Sequence, residues 1–245
     1  MAIGVPDDPS GREHSVGSRS KAYLAYLLLL LATANALSYA DRQLFAILAP
    51  AIKAEFGITD TMVGLLGGPA FMIAFVILSL PLARLADRWS RRRVLAISVA
   101  FWSLMTAACG GAANSFQLAA ARIGIGMGEA GGSPSAQAII AGSFAPERRA
   151  GALSIFSSGI YVGSVIALAG GALLAAAVGW RMTFFILAAP GIIVALLVWF
   201  TAPRRSAQVT SPAAPRSAAV PATLRQAAAH CWRVPTFRLI CLACG

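Results

Sequence analysis

Charged side chains are scarce in this chain of 245 residues: Asp, Glu, Lys and Arg together make up only 12% of it. Apolar types make up 58%, whereas soluble domains have roughly 45–50% apolar and 25% charged residues. The mean hydropathy of +0.73 therefore argues against a soluble globular domain. Because the apolar runs are long and continuous, the composition predicts an all-α integral membrane protein rather than a barrel of short alternating strands.

Histidine is almost absent, and neither copy lies in an apolar run. His14 is in the polar N-terminal stretch, and His230 follows a polar linker. A serine hydrolase inside the membrane would need a base next to its nucleophile. Cys241 and Cys244 have C-x-x-C spacing but no neighbouring ligands. We therefore predict that the chain is not an enzyme and has no catalytic residue, no metal and no cofactor.

Six apolar blocks are long enough to cross a bilayer, which takes about 20 residues at about 1.5 Å each. They run roughly over 22–51, 61–83, 94–112, 116–144, 150–178 and 182–200. If the N-terminus is cytoplasmic, 14 Lys and Arg residues fall on the inner side, and only Lys53 and Arg181 fall outside. This asymmetry predicts a multi-pass protein of the plasma membrane, in bacteria the inner membrane, with a cytoplasmic N-terminus.

The sequence divides into four regions. A cytoplasmic tail covers 1–21, and the six-span bundle covers 22–200. Over 201–228 the chain turns to Pro, Ala, Ser and Arg, which predicts a flexible cytoplasmic linker. Residues 229–245 become apolar again, and we interpret them as the start of a seventh span. About ten apolar residues cannot cross a bilayer, so we expect a C-terminal portion to follow.

Ionisable residues interrupt two of the apolar blocks. Asp41 and Arg42 interrupt the first block, in the stretch YADRQ, and the apolar run resumes after them. Arg122 and Glu129 lie in the fourth block, seven residues apart, which places them on one face of a helix. Burying a charge in a membrane costs several kcal/mol, so such groups usually face a polar cavity and have partners. A structural salt bridge is the alternative interpretation.

Two further patterns concern helix packing and the inner loops. Glycines in the fourth and fifth blocks allow backbones to approach closely, although those of the fifth block also suit a flexible gate. They are Gly124, Gly126, Gly128, Gly159 and Gly163. In the loop PLARLADRWSRRR, Asp87 precedes a dense basic run. Its carboxylate is suited to cap a neighbouring helix or pair with an arginine there, although basic charge that fixes topology explains the arginines equally well.

These motifs resemble the major facilitator superfamily. PLARLADRWSRRR is similar to the signature of its loop between spans two and three, without the two glycines, and ARIGIGMGEAGG is similar to its fourth-span signature. SYADRQLFAILAPAIKAEFGITDTMVGLL resembles the opening of the Spinster-like branch. The resemblance implies twelve spans in two halves, of which this chain would be the N-terminal half and the start of span seven.

The resemblance also implies a secondary transporter working by alternating access, with proton coupling and a lipid-like substrate. Asp41 would be the titrating carboxylate with Arg42 or Arg122 as its partner, and Glu129 would be a second protonatable site or a substrate contact. A cytoplasmic gating motif would comprise Asp87, Arg88, Arg92 and Arg93.

The expected partners are a small amphipathic substrate, protons and membrane lipids, without nucleic acid. We expect a monomer that requires its C-terminal half. A multidrug or organic-anion transporter, a channel and a non-transporting sensor remain as alternatives.

Overall fold

A computed structural model describes residues 20–203, except for the side chains of Asp87 and Arg88. Helices occupy all six predicted blocks. They are α1 (Lys21–Phe56), α2 (Asp60–Gly67), α3 (Pro69–Arg88), α4 (Arg91–Gly110), α5 (Ser115–Ser143), α6 (Pro146–Ile166) and α7 (Ala172–Thr201), with a π-helical segment, Ala167–Gly171, between the last two. The predicted tail before residue 20, and the linker and seventh span beyond residue 203, lie outside the described residues.

Glycines interrupt the helices at two places, one inside the second predicted block and one between the fifth and sixth predicted blocks. The second block is interrupted at Gly68, which separates α2 from α3 and precedes Pro69, the first residue of α3. Proline suits this position because the amide at the start of a helix has no partner within the helix. A second break lies inside α7 at Gly179, where φ is +79°. Glycine has no Cβ to clash in that conformation.

The chain reverses direction at Gly179. Before this residue, α6 and the π-helical segment run parallel to α1. Gly159 lies next to Ala32 and Gly171 lies next to Leu44, so the residue numbers rise together along both segments. Beyond Gly179 the chain runs antiparallel to α1. The indole Nε1 of Trp180 donates a hydrogen bond of 2.6 Å to Glu55 near the end of α1. The hydroxyl of Tyr23, at the start of α1, donates to the carbonyl of Thr201 over 2.8 Å. The fifth and sixth predicted blocks are therefore two antiparallel passes.

Arg181 joins three helix ends at the side of the bundle where α1 ends. Its Nη1 donates to the carbonyl oxygens of Gly110 and Ala112, over 3.0 and 2.6 Å, and its Nη2 donates to Glu55 over 2.6 Å. A guanidinium at the C-terminal end of α4 satisfies carbonyls that have no partner within the helix, and it complements the helix dipole. Arg181 therefore connects the helix ends on this side of the bundle, although the sequence predicted for it only a charge outside the membrane.

Arginines play the same part at the opposite end. Arg91 and Arg92 begin α4, and their guanidinium groups donate to carbonyls near the C-terminal ends of α5 and α7, those of Ala138 (3.1 Å) and Ala202 (3.4 Å). Two of the arginines expected in the basic loop therefore also contact neighbouring helices.

Several of the helices have the length and composition of membrane spans. Within the described residues, four helical stretches are long and apolar enough to cross a membrane: Lys21–Phe56, Asp60–Ala86, Arg91–Gly110 and Pro146–Thr201. The last contains the reversal at Gly179. The remaining helix, α5, has 29 residues and carries Arg122 and Glu129. Large apolar side chains such as Val76, Tyr161 and Phe200 are exposed on the outside, as expected where lipid replaces water.

The α1–α6 contact depends on glycine. A Cβ added to Gly159 would lie 2.6 Å from the carbonyl oxygen of Ala32, and one added to Gly163 would overlap the carbonyl of Ala36. These glycines form a small-xxx-small pair that lets two backbones touch. Asn35 on α1 strengthens the contact with a hydrogen bond of 2.9 Å to the carbonyl of Phe156.

Replacing Gly163 by alanine is therefore expected to separate α1 from α6 and to lower the unfolding temperature of the purified protein by several degrees. Gly151 is the matched control on the same helix, because a Cβ there meets nothing within 4 Å. Gly151→Ala should be neutral or slightly stabilising, since alanine favours helix by about 1 kcal/mol. Equal unfolding temperatures for the two variants, measured by fluorescence, would refute the packing argument.

Candidate functional site

Three helices bring four ionisable side chains together inside the bundle. α1 supplies Asp41 and Arg42, and α5 supplies Arg122 and Glu129. α4 packs against α5 and supplies the uncharged Thr106, whose hydroxyl donates a hydrogen bond to Asp41 on α1. Asp41, Arg122 and Glu129 are almost fully buried, with 3%, 1% and 2% of their surface exposed. Burial of three charged types in an apolar bundle is costly unless they are paired or change protonation state.

Arg42 and Glu129 form an ion pair between α1 and α5. The Nε and Nη2 atoms of Arg42 both donate to Oε2 of Glu129, the first over 2.8 Å. The Glu129 side chain is 1% exposed, whereas that of Arg42 is 26% exposed. The Arg42 guanidinium also lies 4.9 Å from the ring centres of both Tyr39 and Phe71, at cation–π distance.

Asp41 has a different environment from Glu129. Its Oδ2 accepts a hydrogen bond of 2.7 Å from the hydroxyl of Thr106, and its Oδ1 accepts none from the described residues. Arg122, Arg42 and Glu129 act on it electrostatically without direct contact. A neutral hydroxyl offsets little of the cost of a buried carboxylate charge, whereas a direct ion pair offsets more. Asp41 is therefore the less compensated of the two carboxylates.

Arg122 is buried against aromatic rings. Its guanidinium carbon lies 4.2 Å from the ring centre of Phe45 and 5.6 Å from that of Phe71. Its Nε and Nη1 atoms have no hydrogen-bond partner among the described residues. The predicted placement of Arg122 and Glu129 in the interior agrees with the structure. Glu129 forms its salt bridge with Arg42 on the neighbouring helix and not with Arg122, so the structural interpretation of Glu129 stays an alternative.

The prediction that Arg42 or Arg122 is the charge partner of Asp41 stays a prediction, since both arginines act on Asp41 electrostatically. Neither arginine donates a hydrogen bond to Asp41, and Arg42 binds Glu129 instead. Adjacent residues on a helix point about 100° apart, so Asp41 and Arg42 project towards different neighbours. Sequence analysis also missed Thr106, since a single threonine in an apolar block carries no pattern of its own.

The three glycines of α5 set the depth of this cluster in the bundle. A Cβ at Gly126 would lie 2.6 Å from the carbonyl oxygen of Phe71 on α3, and one at Gly128 would lie 2.8 Å from the Cβ of Trp102 on α4. A Cβ at Gly124 would meet the side chain of Met105. Small residues on both sides of α5 thus bring Arg122 and Glu129 next to α1, α3 and α4.

The residues of the expected gating motif lie at the far end of α3 and the start of α4. The side chains of Asp87 and Arg88 lie outside the described residues, so their predicted roles remain predictions. Arg92 is buried and contacts the end of α7, whereas Arg93 is exposed. Among residues 20–203, no group of three His, Cys, Asp or Glu side chains is arranged to hold a metal.

Arg42 opens onto a groove between α1 and α2. The groove is otherwise lined by apolar and small residues: Phe45, Ala46, Ala49, Val63, Gly64 and Gly67. One partly exposed cation on an apolar wall is a suitable arrangement for a molecule with an anionic group and a hydrophobic portion.

Buried charges inside a bundle of apolar helices define the class of this protein: a multi-pass membrane protein with a polar site in its interior. The profile of the Major Facilitator Superfamily matches residues 31–245, and the chain belongs to that family of secondary transporters. Membership of a transporter family supports the prediction that the chain is not an enzyme.

Similarity extends to particular relatives. The chain is 36% identical over 184 residues to an MFS-type efflux pump of Mycolicibacterium smegmatis, covering 75% of this chain and 43% of the pump. It is 30% identical over 192 residues to a probable L-galactonate transporter of Escherichia coli, covering 78% of this chain and 42% of that protein.

A solved structure confirms the resemblance to the Spinster-like branch. It is the crystal structure of a bacterial homolog to the human lysosomal transporter Spinster, in an inward-facing and occupied conformation. Its TM-score against this chain is 0.71 at 34% identity, with 78% of this chain and 47% of that one covered. The chain therefore spans less than half the length of these relatives, and its all-helical fold corresponds to roughly their N-terminal half.

The ion pair between α1 and α5 can be tested by a double-mutant cycle. Removing one partner of a buried pair typically costs about 3–5 kcal/mol, because the other charge stays buried without compensation. Arg42→Gln should thus lower the unfolding temperature much more than the double variant Arg42→Gln, Glu129→Gln. The control is Lys53→Gln, which breaks the exposed pair with Asp60 and should cost no more than about 1 kcal/mol. Additive effects of the two substitutions would contradict the pairing.

Proposed function

We propose that this chain forms the N-terminal half of a proton-coupled secondary transporter in which Asp41 gains and loses the coupled proton. The observation that carries the proposal is that the two buried carboxylates have different hydrogen-bond partners. Glu129 has a direct arginine partner, whereas Asp41 has a single neutral hydrogen-bond donor. Burial favours the neutral form of an acid, and a direct cation favours its charged form. Asp41 is therefore the carboxylate whose charge depends most on access to water.

Alternating access supplies the change in environment that coupling requires. In transporters built from two bundles, rocking of one against the other exposes a central site to each side of the membrane in turn. Water reaching Asp41 would favour its charged form, and closure would favour its neutral form. Arg122, buried next to Phe45, would keep the net charge of the cluster low when Asp41 is ionised.

Glu129 is proposed as the second protonatable site, linked to substrate through Arg42. Because Arg42 is partly exposed in its groove, an anionic group that enters the groove competes with Glu129 for the guanidinium. A released Glu129 would be buried without a cation, and protonation would then be favourable. Substrate and proton would in this way depend on the same arginine.

The proposed substrate is an amphipathic, lipid-like molecule of lysolipid or sphingoid type with an anionic group. The groove combines one cation with apolar walls, which suits a charged head group and a chain. An organic or sugar-acid anion is the second candidate, favoured by the two arginines in the cluster and by the similarity to a probable L-galactonate transporter. A multidrug transporter is a further alternative, suggested by the similarity to an MFS-type efflux pump.

We further propose that the N-terminus is cytoplasmic and that the protein lies in the bacterial inner membrane. The arginines at the α3–α4 junction and after α7 would then be inside, in accordance with the positive-inside rule. Residues 201–228 would form the cytoplasmic linker, and 229–245 would begin a seventh span of the second half. A monomer that binds substrate between its two halves is the corresponding working form.

The role of Asp41 can be tested in vesicles that contain the full-length protein. Asp41→Asn should abolish uptake driven by a proton gradient but retain exchange of substrate across the membrane, because a neutral amide cannot carry the proton. Asp60→Asn is the control, since Asp60 is an exposed carboxylate in an ion pair at the end of α1. Gradient-driven uptake by Asp41→Asn at the rate of Asp60→Asn would refute the proposal. Passive flux insensitive to the gradient would indicate a channel, and binding without flux a sensor.

The substrate class can be tested with a labelled lysolipid and a panel of small organic anions, including L-galactonate. Lysolipid should be moved in preference, and Arg42→Gln should raise the concentration needed for half-maximal uptake by at least about tenfold, the loss expected for a charged contact worth 1.5–3 kcal/mol. Preference for the small anions would favour the second candidate. Unchanged lysolipid uptake by Arg42→Gln would place the head group elsewhere.

A further inference from the structure

The hydroxyl of Thr106 lies between two oxygen atoms. It is 2.7 Å from Oδ2 of Asp41 and 3.0 Å from the carbonyl oxygen of Trp102, one turn earlier on α4. A threonine hydroxyl has one proton to donate and two lone pairs that accept. It therefore donates to one of these oxygens at a time. Since Thr106 is 0% exposed, bulk water is not an alternative partner.

Both charge states of Asp41 find a hydrogen bond in this arrangement. An ionised carboxylate only accepts, so the Thr106 proton points at Oδ2. A protonated carboxyl has an O–H to donate, and Thr106 then accepts it while its own proton turns towards the carbonyl of Trp102. The hydroxyl rotates about one bond, the heavy atoms stay in place, and Thr106 keeps its proton throughout.

We propose that Thr106 is the positioning residue that enables Asp41 to change its charge without leaving Oδ2 unsatisfied. The proposal rests on the proposed function of Asp41 and adds the means by which a buried site accommodates both forms. A buried polar atom that loses its hydrogen-bond partner lowers stability, because its lost hydration is not replaced. A group that can only donate a hydrogen bond would thus favour the ionised form of Asp41. A hydroxyl that rotates can donate to the ionised form and accept from the protonated form.

Among the described groups that act on Asp41, Thr106 is the hydrogen-bond partner suited to both of its charge states. The charged and titratable side chains acting on it are Arg42 on its own helix, Arg122 and Glu129 on α5, and Cys109 on α4. Arg42 is bound to Glu129, and Arg122 lies over Phe45. Arginine side chains only donate hydrogen bonds, so neither of them can accept a hydrogen bond from the O–H of the neutral acid.

The residue that supplies the second acceptor, Trp102, also lies near the second carboxylate. Trp102 packs against Gly128 and Gly132 of α5, and it lines a recess that also contains Glu129.

The test compares variants in pairs that differ by the hydroxyl alone: wild type with Thr106→Val, and Thr106→Ser with Thr106→Ala. Infrared difference spectra of the full-length protein, with Asp41→Asn subtracted, follow the Asp41 carboxyl during a pH titration. A donor to a charged group contributes more than a donor to a neutral one. We therefore expect the midpoint in Thr106→Val to lie about one pH unit above wild type, since one unit is about 1.4 kcal/mol. The pH profile of uptake should move with it.

Thr106→Ser should keep the wild-type midpoint, and Thr106→Ala should move with Thr106→Val. If valine does not fold at this position, the serine and alanine pair decides the question. Equal midpoints within each pair, or equal shifts for serine and alanine, would overturn the proposal and leave Thr106 a packing residue. The infrared titration needs no transport, so it can succeed or fail independently of the uptake result for Asp41→Asn.

Discussion

The ion pair between Arg42 and Glu129 is the contact on which the interior of this bundle depends. It joins the middle of α5 to α1, and it pairs the buried carboxylate of Glu129, whose charge would be costly without a partner. Arg42 donates its hydrogen bonds to Glu129, and the neighbouring Asp41 accepts a hydrogen bond from the hydroxyl of Thr106 instead. The two carboxylates thus have different environments, one beside a cation and one beside a neutral hydroxyl.

Close backbone packing makes this polar arrangement possible. The buried arginines and carboxylates need short distances between helices, and the glycines of α5 and α6 provide them. Gly126 and Gly128 bring α5 against α3 and α4, and Gly163 brings α6 against α1. In lipid, where helices gain little from hydrophobic burial, such contacts and interhelical hydrogen bonds are the main source of association. The same glycines therefore support both the fold and the site.

Arginines at the ends of the bundle have different contacts from those in its middle. At the ends, Arg92 and Arg181 donate to backbone carbonyls and connect helix termini. In the middle, Arg42 and Arg122 lie against aromatic rings and act on carboxylates. The first use holds the helices in place and has no need of a ligand. The second places one cation, Arg42, beside an apolar groove, which is the basis for proposing that substrate and proton use one cluster.

Sequence alone determined the class of the protein, its helical blocks and the four ionisable residues of the buried cluster. Long apolar runs can only be helices in a membrane, and ionisable residues inside them are rare enough to single out Asp41, Arg42, Arg122 and Glu129. Tertiary structure decided which of them touch. Residues 42 and 129 are far apart in sequence, and their contact depends on how α1 and α5 cross. The same holds for Thr106, an ordinary residue in an apolar block until α4 brings its hydroxyl to Asp41.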